Sequence, residues 1–276
     1  MELWYTEKQT EYVGMTCKAK GTLMRKRSQY QDIAVIDTEQ FGRMLLLDGI
    51  VQTTVADEFV YHEMIAHVPL NAHPHPRKVA VIGGGDGGTI REIVKHDTVE
   101  KAVLLEIDSE VIETSRRYLP EIACGLDDER VEILIADGIA HIRESKNPYD
   151  VIIIDSTDPV GPAVGLFTPE FYGSVYEALK DDGIMVAQTE SPYYEPERVR
   201  QTYLGVNAHF PITKLYLAYI PSYSSGLWSF TIGAKRHDPA VINRERPQPL
   251  TTRYYNVDVH KAAFGLPEFV RELVQP

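Results

Sequence analysis

Cysteine is scarce in this sequence, and long apolar runs are missing altogether. The chain of 276 residues contains two cysteines, Cys17 and Cys124, too few for a disulfide framework or for a cysteine-based zinc site. The N-terminal segment has no apolar stretch, and no run reaches the ~18 apolar residues that a membrane-spanning helix requires. We therefore expect neither a secretory signal nor a membrane partner, and we predict a cytoplasmic protein.

Basic residues are also in deficit. The chain carries 28 Lys and Arg against 40 Asp and Glu, a formal net charge of −12. Nucleic-acid binding needs clustered basic residues, so we do not expect a nucleic-acid partner. An acidic protein raises the local concentration of cationic small molecules, although net charge alone indicates no more than solubility. The 43% hydrophobic residues are ordinary for a folded protein of one large domain or two modest ones.

The first 56 residues have the pattern of consecutive β-strands. Strands that follow one another without a helix imply antiparallel hairpins, so we predict a small antiparallel β domain over residues 1–56. Turn signals between its strands stand at Gly21, at Phe41-Gly42 and at Asp48-Gly49.

Residues 57–276 have the pattern of a Rossmann-like catalytic domain. A helix is predicted over residues 57–70, where Pro69 and Pro74 should end it. Short apolar runs then alternate with helix-like segments, a pattern typical of a parallel sheet buried on both faces.

The last two strands follow each other closely across Ser224-Ser225-Gly226, which predicts an antiparallel pair at the edge of this sheet. An antiparallel edge pair is typical of the methyltransferase-type fold. The predicted fold class is therefore α/β, a Rossmann-like methyltransferase-type sheet with helices on both faces, preceded by the small antiparallel β domain.

Acidic residues follow the apolar runs. Ligands of doubly wound sheets bind at the carboxyl ends of the strands, so the polar residues just after each run are the candidate site residues. They are Asp86, Glu106, Asp108, Asp137, Asp155, Asp158 and Glu190.

A glycine-rich turn, Gly83 to Gly85, follows the first run of the parallel sheet. Such a turn lets the backbone approach a ligand, although it also occurs as a plain strand-to-helix connection. Asp86 inside the turn would repel a pyrophosphate. The turn therefore favours a nucleoside with a cationic tail over a dinucleotide.

The next two strand ends carry acids suited to the nucleoside. Glu106 is placed to accept hydrogen bonds from two ribose hydroxyls, which identifies a ribose but not a reaction. Asp137 could accept from an adenine amino group while the Gly138 amide donates to the ring. The alternative for Asp137-Gly138 is an ordinary turn.

The segment DSTDPVGP (155–162) contains the strongest local signal. Asp155 ends a buried apolar strand, and Asp158 follows within one turn of chain. Two carboxylates could bind a metal, but no His or Cys cluster joins them, so we expect no metal and favour a cationic amine. N-cap and turn acids are the structural alternative. Residues 158–167, rich in Gly and Pro, are predicted to form a mobile lid.

Seven stretches match the motifs of one known family, and they run from end to end: YQDI (30–33), LDGIVQ (47–52), DEFVYHEM (57–64), GGGDGG (83–88), EID (106–108), DSTDPVGP (155–162) and YYNVDVHKAAFGLPEF (254–269). Together they resemble the polyamine aminopropyltransferases. The resemblance implies the N-terminal β domain, a homodimer or homotetramer and a polyamine substrate. It also implies decarboxylated S-adenosylmethionine as a co-substrate, with no permanently bound cofactor.

The same resemblance implies roles for individual residues. Those expected to hold the adenosine portion are Gln31, Glu106, Asp137, Gly138 and Pro162. Asp86 is expected to bind the aminopropyl ammonium group, and Gln52 to line the donor side. Tyr61 and Asp155 are the expected catalytic residues, which hold the attacking amine. The remaining substrate-binding residues are His62, Ser156, Thr157, Asp158, Gln188 and Tyr223. Ser224 departs from the family pattern, since many relatives have Pro there.

The expected reaction is aminopropyl transfer to putrescine, which gives spermidine and methylthioadenosine. Agmatine or cadaverine would serve the same chemistry. An S-adenosylmethionine-dependent methyltransferase would share the fold, but Asp86 disfavours a donor that carries a carboxylate at that end. A non-catalytic polyamine-binding protein is the third hypothesis.

Overall fold

A computed structural model gives the structure of this chain. No helix in the described part of the chain is long and apolar enough to cross a membrane, and the cytoplasmic location stays a prediction. Three predicted site residues, Thr157, Asp158 and Pro162, lie outside the described residues, as does most of the predicted lid. The described ranges are 2–145, 148–156, 165–242 and 250–275.

The N-terminal segment forms a five-stranded antiparallel sheet in the order β1-β2-β3-β4-β5. Asp48 and Gly49 both have positive φ angles, 50° and 81°. Two such residues form the tight turn that right-handed strand twist favours in a two-residue hairpin. The strands are β1 (Leu3–Lys8), β2 (Gly14–Arg27), β3 (Asp32–Thr38), β4 (Gly42–Leu47) and β5 (Ile50–Thr54).

Gly21 does not form the predicted turn. It lies inside the long strand β2, where the register with β3 shifts between Ala19 and Gly21. A glycine within a strand pattern fits an irregularity of this kind as well as a turn, because it adapts to the altered backbone at a bulge.

The second sheet has seven strands in the order β11-β12-β10-β9-β6-β7-β8. The five strands from β8 to β10 in this order are parallel, and β12 is antiparallel to both of its neighbours. The predicted fold class and the predicted antiparallel pair are confirmed. The strands are β6 (Lys78–Gly83), β7 (Lys101–Glu106), β8 (Val131–Ile135), β9 (Tyr149–Asp155), β10 (Leu179–Gln188), β11 (Ile212–Tyr219) and β12 (Leu227–Ala234).

Helices cover both faces of this sheet. Along β6, Val79 and Val81 join a core cluster with α1 and α2, while Ala80 and Ile82 join a second cluster with α5 and α6. Burial on both faces explains why these strands are almost continuously apolar. The helices are α1 (Glu58–Ala72), α2 (Gly88–Ile93), α3 (Ser109–Tyr118), α4 (Pro120–Ala123), α5 (Gly138–Glu144), α6 (Pro169–Ala178), α7 (Pro196–Asn207), α8 (Val257–Ala263) and α9 (Glu268–Val274).

Pro69 does not end α1, contrary to the sequence prediction. The helix continues to Ala72, and the His73 amide donates to the Pro69 carbonyl oxygen at 3.0 Å. A proline in the last turn removes only its own backbone donor, and helical bonds further along can still form. Nearly all residues of this helix are buried, and their packing compensates for the missing hydrogen bond.

The N-terminal sheet ends at Thr54, and α1 begins at Glu58. Between them Asp57 joins the two parts of the fold, since it accepts from the Thr54 hydroxyl and from the Ser222 amide, each at 2.6 Å. Because the sheet ends before this point and the helix begins after it, we propose the domain boundary at residues 56/57.

Candidate active site

A cavity of about 440 Å³ lies between the N-terminal sheet and the carboxyl ends of the second sheet. Of the predicted binding and catalytic residues that the structure describes, all but His62 line it, and Asp108, a candidate from the strand ends, also lies outside its lining. Those that line it are Gln31, Gln52, Tyr61, Asp86, Glu106, Asp137, Gly138, Asp155, Ser156, Gln188 and Tyr223.

The glycine-rich turn after β6 brings two strand ends close together. Gly83 and Gly84 have φ angles of 77° and 70°, which side chains rarely tolerate. A Cβ atom on Gly83 would lie 2.3 Å from the Asp155 carbonyl oxygen, and one on Gly84 would lie 2.7 Å from Asp155 Oδ2. Glycine at both positions therefore allows the turn to pack directly against the end of β9.

Asp155 is held by two hydroxyl groups. Tyr61 donates to Oδ1 and Thr89 donates to Oδ2, each at 2.6 Å. Desolvation and the negative charge of Asp86 raise the pKa of Asp155 despite these bonds. Desolvation and the nearby Asp155 in turn hold the pKa of Tyr61 well above its ordinary value. Asp155 is thus a better proton acceptor than an ordinary aspartate.

The pKa of Asp86 is shifted in the opposite direction from that of Asp155. Asp86 Oδ1 accepts from the Gly88 amide at 2.8 Å, and its Oδ2 lies 3.3 Å from His62 Nε2. Desolvation raises the pKa of Asp86, but His62 and the Gly88 amide outweigh it, so the pKa is lowered. Two carboxylates on one cavity therefore differ in protonation tendency, the usual arrangement for separate chemical roles.

His62 lies behind Asp86 rather than on the cavity wall. Its side chain is 2% exposed, and its Nδ1 atom lies 2.5 Å from Glu58 Oε2. His62 thus contacts two carboxylates in this structure, and its role in substrate binding stays a prediction.

Glu106 closes the end of β7 and is buried. Its Oε2 accepts from the Gly85 amide at 3.1 Å, and its Oε1 accepts from the Asp108 amide at 2.9 Å. Burial raises the pKa of Glu106 to about 7 even so. Gln31 lines the same cavity, and its side-chain amide donates to Asp108 Oδ2 at 3.0 Å.

Asp137 is the N-cap of α5, a role that neither the predicted adenine contact nor the alternative of an ordinary turn had described. Its Oδ1 accepts from the Ile139 amide at 2.8 Å. Capping does not exclude a ligand contact, because the side chain also lines the cavity and is exposed. A Cβ atom on Gly138 would lie 2.5 Å from Ile82 Cγ2, so this position needs glycine for close packing.

Amide and aromatic side chains line another part of the cavity, around Gln188 and Tyr223. The Gln188 side-chain amide donates to the Ser156 carbonyl oxygen at 3.0 Å. Tyr223 donates to the Gln52 carbonyl oxygen at 2.9 Å, and its ring lies 6.1 Å from that of Tyr61. The bond from Tyr223 to Gln52 connects the catalytic domain to the N-terminal sheet across the cavity.

Comparison with known families identifies the family of this chain. The family model described as the spermine/spermidine synthase domain matches residues 58–244, and the one described as the spermidine synthase tetramerisation domain matches residues 3–55. The chain belongs to the spermidine synthase family. The predicted family and its enzyme class, an aminopropyltransferase, are confirmed.

Curated relatives align with this chain over its whole length. It is 60% identical to a polyamine aminopropyltransferase of Caldicellulosiruptor bescii, over 100% of this chain and 99% of that one. A polyamine aminopropyltransferase of Bacillus mycoides is 56% identical, with 100% of both chains covered.

Two solved structures share the fold. A spermidine synthase in complex with the transition-state analogue AdoDATO superposes with a TM-score of 0.94 at 46% identity, over 99% of this chain and 94% of that one. Spermidine synthase from Thermotoga maritima has a TM-score of 0.92 at 45% identity, with the same shares covered.

Sequence reasoning missed several residues that line the cavity or support it. Glu7 lies in β1, Gln9 follows directly after it, and Trp228 lies in β12. Thr89, which bonds Asp155, follows the glycine turn directly, and its place at the start of α2 was the available signal. Glu190 was noted only as an acid after a strand, yet it lines the cavity with a left-handed φ of 71°.

A His and Asp cluster lies at the opposite end of the sheet. Ligand atoms of His73, Asp150 and Asp182 are within 4.8 Å of one another. Asp150 already accepts from the Lys180 ammonium group at 2.9 Å, which supplies a positive charge at this point. The cluster is distant in the fold from the glycine turn and takes no part in the site described above.

Proposed function

We propose that this chain transfers the aminopropyl group of decarboxylated S-adenosylmethionine to putrescine and releases spermidine and methylthioadenosine. The observation that carries the proposal is the pair Asp86 and Asp155. They line one cavity, and their pKa values are driven in opposite directions. An ionised carboxylate suits a cationic donor tail, and a proton-accepting carboxylate suits an amine nucleophile.

The donor is assigned to the side of the cavity that carries Glu106. Glu106 would accept from the ribose hydroxyls, Asp137 and Gly138 would contact the adenine, and Gln31 would close the ribose side. Asp86 would bind the ammonium group at the end of the aminopropyl tail. The AdoDATO complex of a similar spermidine synthase supports a donor of this kind.

The acceptor is assigned to the side that carries Tyr61 and Tyr223. An alkyl ammonium has a pKa near 10.4, so presenting it as a neutral amine near pH 7.5 costs about 4 kcal/mol. Asp155, with its raised pKa, accepts the proton, and the Tyr61 hydroxyl fixes the orientation of its carboxylate.

The reaction needs no acid for the leaving group. The amine nitrogen attacks the propyl carbon beside the sulfonium sulfur, the carbon–sulfur bond breaks, and its electron pair neutralises the sulfur. Methylthioadenosine leaves as a neutral thioether, and Asp155 takes the amine proton. Holding both reactants in line supplies much of the remaining acceleration.

Agmatine and cadaverine remain candidate acceptors, because each presents a primary amine to the same carboxylate. Gln188 and Tyr223, with Asp158 from the sequence prediction, are the residues we propose to face the distal end of the acceptor. A methyltransferase is disfavoured by Asp86, which would face the carboxylate of S-adenosylmethionine.

A single assay tests the function. The protein is incubated with decarboxylated S-adenosylmethionine and each of putrescine, agmatine and cadaverine, and products are identified by mass spectrometry. We expect spermidine and methylthioadenosine in equal amounts with putrescine. Methylated amines, or no transfer to any amine, would contradict the proposal.

We further propose that the protein assembles as a homo-oligomer through its N-terminal sheet. Apolar side chains are exposed there, among them Leu3 at 49%, Trp4 at 57% and Leu23 at 46%. Exposed strands with apolar side chains need cover. Light scattering should find a homodimer or homotetramer, and a monomer at micromolar concentration would contradict this.

A further inference from the structure

A chain of charged side chains runs behind the donor side of the cavity, with His62 and Glu58 buried and Asp86 and Arg91 partly exposed. Its first link is the pair His62 and Asp86, and its second is His62 and Glu58. The third is Arg91, whose NH1 and NH2 donate to Glu58 Oε1 and Oε2 at 2.9 and 2.7 Å. The reaction derived above uses none of Glu58, His62 and Arg91 directly.

The geometry constrains the charge of His62. The bidentate guanidinium of Arg91 keeps Glu58 ionised, because a protonated carboxyl could not accept both bonds equally well. An ionised carboxylate only accepts hydrogen bonds. His62 has one ring nitrogen facing Glu58 and the other facing Asp86, so an imidazolium that donates from both nitrogens is the form that satisfies both neighbours.

Packing holds the ring in this orientation. A Cβ atom on Gly88 would lie 2.2 Å from His62 Cε1, so the backbone at the start of α2 is in direct contact with the imidazole. The Tyr61 ring meets it edge-on, with centroids 5.3 Å apart. The ring therefore has little freedom to turn away from Asp86.

We propose that Glu58 and Arg91 are positioning residues. Through His62 they fix Asp86 as the ionised member of the Asp86–Asp155 pair, which leaves Asp155 to take the proton. This inference rests on the proposed function and deepens it. Without a cation behind Asp86, two carboxylates on one cavity would compete for a single proton, and neither role would be secure.

The groups that face His62 come from every element around it. They are Glu58 and Tyr61 on α1, Asp86 in the glycine turn, Arg91 on α2 through Glu58, and Asp155 at the end of β9. Desolvation lowers the pKa of His62, but Asp86 and Glu58 outweigh it and raise the pKa well above the ordinary value.

The test replaces Glu58 by glutamine, which keeps the shape and removes the charge. His62 should then lose its proton at a lower pH, and Asp86 should gain one at a higher pH. As the pH falls, protonation of Asp86 weakens donor binding. We expect this weakening to begin about one pH unit higher in Glu58→Gln than in the wild type. At a pH where Asp86 is protonated in the variant but ionised in the wild type, the variant's preference for decarboxylated S-adenosylmethionine over methylthioadenosine should be about tenfold lower than that of the wild type. Methylthioadenosine lacks the ammonium tail, so its own affinity should change little.

A matched control is available in the pair Asp128 and Arg130. Arg130 donates to Asp128 Oδ1 from Nε and to Oδ2 from NH2, each at 2.8 Å, and the pair does not line the cavity. Asp128→Asn should leave the ligand preference and its pH dependence as in the wild type, even where the melting temperature falls. Calorimetric titration with both ligands across pH measures the preference in all three proteins.

A second measurement avoids any loss of folding in Glu58→Gln. Nitrogen NMR of the intact, histidine-labelled wild type should show His62 protonated on both ring nitrogens at neutral pH. A neutral His62, or an unchanged ligand preference across pH in folded Glu58→Gln, would overturn the inference. The function is judged separately, because product formation by the wild type supports aminopropyl transfer whichever result His62 gives.

Discussion

Strand β9 carries an aspartate near each end, and the two differ in what surrounds them. At the amino end, Asp150 accepts from the Lys180 ammonium group and from the backbone amides of Arg77 and Lys78, at 2.8 to 3.0 Å. At the carboxyl end, Asp155 accepts only from hydroxyl groups among the bonds described above, and it opens onto the cavity.

The difference separates a structural acid from a reactive one. Asp150 has its charge compensated by a cation and by two backbone donors, so it ties the starts of β6, β9 and β10 together. Asp155 has desolvation and a like charge acting on it instead, and its pKa is raised. The four mutants and titrations below test whether this division holds, beginning with the largest expected effect.

Asp155→Asn should lower turnover by about 10² to 10⁴, because asparagine keeps an acceptor oxygen but cannot take a proton. Donor affinity should change much less. A thermal melt should show a folded protein of nearly unchanged stability, since the substitution also removes a desolvated charge. Steady-state kinetics and the melt are measured on one sample, and near-normal turnover in the folded variant would refute the assignment.

Asp86→Asn should weaken the preference for decarboxylated donor over S-adenosylmethionine by up to about three decades. Two unit charges ~4 Å apart interact by about 4 kcal/mol at an effective dielectric near 20, and 1.36 kcal/mol corresponds to tenfold. Calorimetry with both ligands gives the ratio. An unchanged ratio would mean that Asp86 does not select the donor.

Asp150→Asn should lower stability and leave turnover unchanged, the reverse of Asp155→Asn. The loss of charge-assisted bonds should lower the free energy of unfolding by about 2 kcal/mol. Several fully buried bonds of this kind would cost more, but Lys180 is partly exposed and solvent screens its charge. Turnover of the folded protein should stay near that of the wild type. Denaturant unfolding and kinetics together check this, and a large loss of turnover without loss of stability would break the comparison.

Glu106 should make adenosine binding depend on pH near neutrality. Its pKa of about 7 in the folded protein lies above the ordinary 4.5. Ribose hydroxyls bind the ionised form, so methylthioadenosine affinity should rise about tenfold from one unit below pH 7 to one unit above it. Calorimetry across pH should show the rise in the wild type and its absence in Glu106→Gln.

The same shift has a consequence for stability, opposite in sign to that of affinity. Between the unfolded pKa and the folded one, the folded state binds more protons, so stability falls as pH rises through this window and levels off above it. Urea unfolding across pH measures this, and Glu106→Gln should flatten the slope.

The sequence predicted the fold class well because burial on both faces leaves a clear pattern. The apolar runs of β6 and β9 and the acid after each run follow from local order along the chain. Gly21 and Pro69 were interpreted wrongly for a common reason. Each has a strong local preference, for a turn and for the end of a helix, and tertiary packing overrode both preferences.

Long-range neighbours were beyond the sequence patterns. Glu7 reaches the cavity from the N-terminal sheet, and Thr89 meets Asp155 across 66 positions of chain. No periodicity encodes such a meeting. His62 shows the same limit, because no sequence pattern predicted its contacts to Glu58 and Asp86.

The sequence by itself determined which residues stand at the strand ends, since an apolar run must finish where polar groups can meet solvent or ligand. It did not determine their charge states. Asp86, Glu106 and Asp155 are similar acids at similar places in the pattern. Only the tertiary structure placed an imidazole behind the first, backbone amides around the second and two hydroxyls on the third. The free energy of a buried charge depends on these neighbours, and they come from distant parts of the chain.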